Sequence, residues 1–235
     1  QLVVWNPEAD EIIGGYRFTK WSMASFHENG QPYVNTEHLF DFSQKFLDEY
    51  FPYCIEMARA FVQPKYQSAQ MGRKALFALD NLWDGIGGLV ASDPSVKYLA
   101  GKVTIYSSSP ELSRKAMIYC LDMCFGDRKG LITSKNPELC TPEQAEMFKE
   151  LFNGANYKEN YQILNNYVKS MGDTIPPLIH SYIGLSPTMK TFGTTFDPDF
   201  GDCYDTAMMI TIADIYEDKA GRYIDSYESC RERIT

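Results

Sequence analysis

The chain has 235 residues, enough to bury a substantial core in one large domain or two small ones. Hydrophobic residues make up 44% and charged residues 23%, a globular composition, and no apolar run reaches the ~18 residues that a bilayer-spanning helix needs. The net charge of −9 argues against broad nucleic-acid binding, which wants a basic face.

Leu2–Trp5 and Ile12–Phe18 are apolar, β-prone runs separated by Asn6-Pro7-Glu8-Ala9-Asp10, and together they read as a hairpin. Leu2–Trp5 looks like the middle of a strand, so native sequence is expected upstream of Gln1. Gly14-Gly15 inside the second run predicts a bulge or a close backbone approach. Ser22–Thr36 reads as loop. Asp41–Tyr50 carries helical spacing and stops before Pro52. Ile55–Val62 is the next strand, and Pro64 ends its pairing because it has no N–H to donate. Leu76, Leu79, Trp83, Ile86 and Val90 then form one apolar helical stripe.

Lys102–Tyr106 is a further strand. Ser109-Pro110-Glu111 reads as a cap, first-turn Pro and first-turn acid, opening a helix to about Phe125. Thr141-Pro142-Glu143-Gln144 has the form of a capping box, and two helices are expected to run to about Ser170. Pro176-Pro177 opens a short segment over Leu178–Ile183. Strands near Lys190–Phe196 and Thr206–Ala213 flank a turn at 197–201, and a charged, loosely held tail follows Arg222. This order predicts an α/β fold, a mixed sheet with helices on its faces. Without repeats or linkers it reads as one domain with a helical insertion at about 126–185.

The six Cys contain no C-x-x-C pair and are expected as reduced, buried thiols. Cys120 and Cys124 lie one helical turn apart with no His nearby to complete a metal set, and His27, His38 and His180 read as structural. No metal is expected. No G-x-S-x-G or other nucleophile motif occurs, which argues against covalent catalysis.

Glu56–Arg73 is the most informative stretch. It reads as a strand carrying Glu56 and Arg59, a tight loop, and a helix start with Gly72, Arg73 and Lys74. Such a helix start presents unpaired N–H groups and a partial positive charge, an anion site suited to phosphate. Between Arg59 and Lys115 there are eight basic residues against four acidic ones, so this segment is locally positive inside an acidic chain. The alternative is a solvated helix face with scattered charges.

Gln67-x-x-Gln70-x-Gly72 resembles the pyrophosphate loop Gln/Arg-x-x-Gly-x-Gly/Ala of the GNAT acyltransferase superfamily, differing at Gln70. Glu56-Met-Ala-Arg59 and Gly14-Gly-Tyr-Arg17 are similar to motifs of the branch that uses long-chain acyl donors. That branch holds the acyl-homoserine lactone synthases and the hemolysin-like ornithine- and glycine-lipid N-acyltransferases. Leu82-Trp-Asp-Gly-Ile86 and Gly101-Lys-Val-Thr-Ile-Tyr106 resemble its lipid-forming members. The likeness is close over about 1–125 and general beyond.

The resemblance implies a GNAT-like mixed sheet with extra C-terminal helices. It also implies transfer of a fatty or 3-hydroxy-fatty acyl group from an acyl carrier protein or coenzyme A thioester to the amine of a small amino acid, as in aminolipid synthesis. No permanently bound cofactor is implied. The location is cytoplasmic, with association at the inner membrane face left open. Glu56 is the candidate base or ammonium ligand, and Arg17 the candidate for the acceptor's carboxylate. Arg59 joins Glu56 only if a bulge lies between them, because three positions along a regular strand lead to the opposite face. The alternative for Glu56 is a buried pairing with Arg59 or Arg17.

By the same likeness, backbone N–H groups of Phe61 and Val62 meet the pantetheine arm or thioester, while Gln67, Gly72, Arg73 and Lys74 meet phosphate. Tyr106 and Tyr119 are candidates to protonate the leaving thiolate, with core packing as the alternative. The family places further functional residues ahead of the first strand. Two other readings remain at this point: an acetyl-CoA-dependent N-acetyltransferase, and a non-catalytic donor-binding module permitted by Gln70.

Overall fold

The computed structural model describes residues 1–67, 73–225 and 227, and of residues 73–80 the backbone alone. The expected hairpin forms from β1 (Leu2–Asn6) and β2 (Glu11–Lys20). β2 pairs next with β4 (Cys54–Val62), which pairs with β5 (Tyr98–Tyr106), then β8 (Cys203–Thr211) and β7 (Lys190–Asp197). The six-stranded order is β1-β2-β4-β5-β8-β7, with β4–β5 parallel and the other pairs antiparallel.

Strand alternation sends side chains to two different cores. Ile55, Met57, Leu99, Val103, Ile105, Met208 and Ile210 pack under α2 (Arg73–Ser92), α3 (Glu111–Phe125), α5 (Tyr157–Ser170) and α6 (Pro177–Ile183). The α2 stripe is realised at Trp83, Ile86 and Val90; the side chains of Leu76 and Leu79 lie outside the described residues. Phe148 and Phe152, on and just after α4 (Pro142–Leu151), join the same core, so the 126–185 helices are packed into it. Thr141 and Gln144 close the expected capping box at the start of α4.

The opposite face carries Cys54, Ala100, Ala207 and Met209 and is covered by an aromatic cluster. Trp21 stacks on Phe51 at 5.0 Å and meets Phe42 edge-on at 5.4 Å. This cover includes β3 (Phe40–Phe42), paired with β6 (Ile132–Ser134), a small second sheet that the sequence reading did not anticipate. Asp41 therefore lies in a strand, and the helix expected from it is α1 (Gln44–Glu49), capped by Ser43.

Two further expectations are corrected. Ser109 does not cap α3; Pro110 occupies the cap with no side-chain hydrogen bond, and Ser109 instead closes a turn to Tyr106. The segment after Arg222 is not wholly loose. α7 (Glu217–Ala220) leads into a π-helical turn at Gly221–Asp225 whose Tyr223 is buried and packs near Trp83. Residues 226 and 228–235 lie outside the described part of the tail.

Gly87 makes the docking of Tyr223 on α2 specific. A Cβ built there would stand 1.9 Å from the Tyr223 carbonyl oxygen. Gly87→Ala is expected to lower stability by about 1–3 kcal/mol in urea denaturation, because the clash outweighs the better helix propensity of Ala. A raised midpoint would contradict this packing.

Candidate active site

β2 and β4 lose register at one point. Arg17 pairs with Ala58 and Gly15 with Phe61, so β2 advances two residues while β4 advances three. The extra residue falls at Arg59, whose φ is 55°, a left-handed conformation that is rare for a side-chain-bearing residue. This is the bulge needed to bring Arg59 to the Glu56 face. Gly14 and Gly15 accommodate the close approach: Cβ atoms there would lie 2.6 Å from the Phe61 carbonyl and 2.8 Å from that of Leu2.

The bulge also marks where the sheet opens. The β4–β5 ladder runs from Cys54↔Tyr98 to Met57↔Gly101 and stops, although both strands continue. The parted strands line a groove of about 530 Å³ whose walls include Tyr16, Phe61, Val62, Gln67, Leu178 and Tyr182. The Gln63 N–H donates to Ile13 on β2. By alternation the Val62 peptide turns toward the groove, and the Phe61 peptide toward β2. Phe61 thus offers the groove its half-exposed ring rather than its amide. The Gln67 side chain donates to the Val62 carbonyl. Gly72 and the side chains of Arg73 and Lys74 lie outside the described residues.

Beyond the bulge, on the face away from α2, lie two more cavities. One of about 460 Å³ is lined by Glu56, Arg17, Arg59, His27, Tyr33 and His38, among others. The other, about 290 Å³, is lined by Arg59, Lys102, Thr104, Asp197, Asp205 and Phe200, among others. Arg59 lines both of these and the groove. Its guanidinium lies 4.7 Å from the Phe200 ring centroid. Among the described residues neither Arg17 nor Arg59 has a carboxylate partner within ion-pair distance, and both side chains are exposed.

Glu56 is only 3% exposed. It does not pair with an arginine. Its carboxylate accepts from the backbone N–H groups of Asn35 (3.2 Å) and Thr36 (2.8 Å) and from the Thr36 hydroxyl (2.5 Å). These three donors fix the side chain and tie the long 22–39 loop across the sheet, which closes the Glu56 cavity on that side. His27 and His38, read as structural, contact Glu37 (3.5 Å) and Asp199 (3.1 Å) while lining the same cavity. The ligating atoms of His38, Asp197 and Asp199 lie within 4.8 Å of one another.

The floor of the smaller cavity is a charge network that the sequence did not single out. Lys102 lies 3.0 Å from Asp205 and 3.8 Å from Asp197, and Thr104 donates to Asp205 at 2.7 Å. Both aspartates are buried. Opposite charges and hydrogen bonds offset the desolvation of these groups. The locally positive segment is thus partly internal: Lys102 joins this network, Arg114 lies over Tyr204, and Lys115 pairs with Glu138 at 2.5 Å. A lysine inside the run Gly101–Tyr106 was the available signal, but its partners lie about a hundred residues away. Tyr119 stacks on Phe152 and lies tilted against Phe148, away from the groove, whereas Tyr106 is exposed at its edge. The five described cysteines are free thiols, and no helix among the described residues is long and apolar enough to cross a membrane.

Comparison with known proteins agrees with this architecture. Residues 1–76 match a family model described as an acetyltransferase (GNAT) domain. A glycine N(alpha)-acyltransferase of Phocaeicola vulgatus is 47% identical over 227 residues, covering 97% of this chain and 69% of that protein. One of Bacteroides thetaiotaomicron is 45% identical over 227 residues, covering 97% and 67%. No solved structure matches. With a mixed sheet split between β4 and β5 and relatives this similar along nearly its whole length, the chain belongs to the GNAT acyltransferases and is an enzyme that transfers acyl groups to an amine.

Proposed function

We propose that residues 1–235 act as one GNAT-like unit that moves a fatty or 3-hydroxy-fatty acyl group from a carrier-protein or coenzyme A thioester to the amine of glycine, giving an N-acyl amino acid for aminolipid synthesis. The observation that carries this reading is the parting of β4 from β5 at the Arg59 bulge. It joins a largely apolar groove to a polar cavity holding a fixed carboxylate and two guanidinium groups that have no carboxylate partner among the described residues. The donor lies in the groove, its arm against the Val62 peptide and Gln67 and its phosphate toward Gly72, Arg73 and Lys74. The apolar walls at Phe61, Val62 and Leu178 favour a long acyl chain over an acetyl group. The acceptor enters from the opposite side. Arg17 and Arg59 take its carboxylate, which suits the planar, forked donors of arginine. Glu56 faces the acceptor nitrogen, which releases one proton to solvent to become the free amine, and accepts the proton lost on attack, directly or through water.

Release of thiol, followed with acyl carrier protein and coenzyme A donors of several chain lengths and with mass spectrometry of the product, tests this reading. N-acylglycine from a long-chain donor supports it; turnover with acetyl-CoA alone overturns it. Glu56→Gln keeps an acceptor for Thr36 but turns its amide N–H₂ toward the Asn35 N–H, so it is expected to lower kcat by about 10²–10⁴-fold with a melting temperature lowered but a folded state retained. Unchanged turnover rules out the proton-accepting role.

Arg59→Gln is expected to raise KM for glycine by about 10–100-fold, the loss of a charge-assisted hydrogen bond of about 1.5–3 kcal/mol. The same variant should change KM little for glycinamide, which has no carboxylate. An equal penalty on both acceptors would remove the carboxylate contact.

A further inference from the structure

Tyr16 carries a buried phenol with no hydrogen-bond partner among the described residues. The residue is 4% exposed and lines the donor groove. Its position is set by the bulge: it stands between Gly15, which pairs with Phe61, and Arg17, which pairs with Ala58. That is the level at which β4 leaves β5. The ring is packed in the core under α2 beside Tyr182, itself held edge-on by Trp83 at 5.6 Å. Burial pushes the Tyr182 hydroxyl up to about 12 and that of Tyr16 well above the usual tyrosine range, so both remain neutral O–H groups. A buried hydroxyl without a partner costs about 1–3 kcal/mol, and a phenylalanine would fill the same volume without that cost. Such a group marks a place where a ligand supplies the acceptor.

We infer that Tyr16 is a catalytic residue of the acyl transfer, donating its O–H to the thioester carbonyl oxygen as that oxygen takes up negative charge. This rests on the donor lying in the β4–β5 groove. The amine nitrogen forms a bond to the carbonyl carbon, and the C=O π pair moves onto oxygen, where the Tyr16 hydroxyl meets it. The pair returns, the C–S bond breaks, and sulfur leaves with its electrons as a thiolate that solvent protonates. The amine's proton passes to Glu56 and on to solvent. Tyr16 neither gains nor loses a proton. At a buried position, one aimed donor of this kind is worth far more than in bulk solvent.

Tyr16→Phe is the test. It removes no hydrogen bond made among the described residues, so the melting temperature is expected to stay level or rise. kcat is expected to fall by about 10²–10³-fold, with KM for the amine nearly unchanged and KM for the donor raised a few-fold by loss of the contact to the ground-state carbonyl. Two inert donor analogues locate the contact: one with CH₂ in place of sulfur keeps the carbonyl, and one with CH₂ in place of the carbonyl lacks it. The variant should bind the ketone more weakly than the wild type does and the thioether equally well. Unchanged kcat, or equal weakening of both analogues, overturns the assignment. If the wild-type enzyme turns over but binds neither analogue in competition with donor, the groove reading itself fails instead.

Discussion

One extra residue in β4 sets the geometry of the site. A regular strand would send Glu56 and Arg59 to opposite faces of the sheet and would keep β4 hydrogen-bonded to β5 along its length. The left-handed turn of Arg59 does away with both consequences. It brings the guanidinium to the carboxylate's face, and it coincides with the end of the β4–β5 ladder, after which both strands leave an edge toward a groove. Unpaired strand edges inside a protein are costly unless something fills them. In the proposed function the complement is the donor's own amides and carbonyls. The strain of a non-glycine residue at positive φ is of the kind that persists where surrounding pairing over-determines the backbone, and β2 supplies that pairing on the other edge of β4.

The two faces of the sheet serve different ends. The helical side is a conventional apolar core in which α2, α3, α5 and α6 pack on the sheet, and α6 forms one wall of the groove. The other side is covered by loop rather than helix. Its closure depends on the Trp21–Phe42–Phe51 cluster at one end and on the Glu56 carboxylate at the other. Glu56 therefore has a structural task as well as the chemical one proposed for it. The same three donors that bind the loop also hold the carboxylate in one rotamer, which is what a positioned acid–base group requires. Lys102, Asp197 and Asp205 give the adjoining cavity a polar floor in which each charge has a nearby opposite.

Much of this was legible from local pattern. The α2 stripe, the Thr141–Gln144 capping box, the 2–18 hairpin and the strand ended by Pro64 all follow from rules that act within one helical turn or one strand. So did the need for a bulge between Glu56 and Arg59, because a spacing of three conflicts with a period of two. The missed features depend on distant partners. β3 and β6 are three residues each and pair across some ninety positions, too short and too far apart to leave a periodic signal. Ser109 had the right residue type for a cap, but the chain turns one residue later. Tyr223 is docked because Gly87 leaves room for it, a fact about two surfaces rather than one segment.

By itself, then, the amino-acid order determined the main strands and helices and the mixed α/β class, since periodicity, caps and turn residues act over a few positions, while Glu56, Arg59 and Arg17 were singled out by their resemblance to family motifs. Only the tertiary structure decided which peptide of β4 faces the groove, which donors hold Glu56, and that Lys102 meets two aspartates from the far strands. It also left the Tyr16 hydroxyl without a partner among the described residues. Those outcomes depend on register and on close packing between segments up to a hundred residues apart, where a single added residue changes which groups meet.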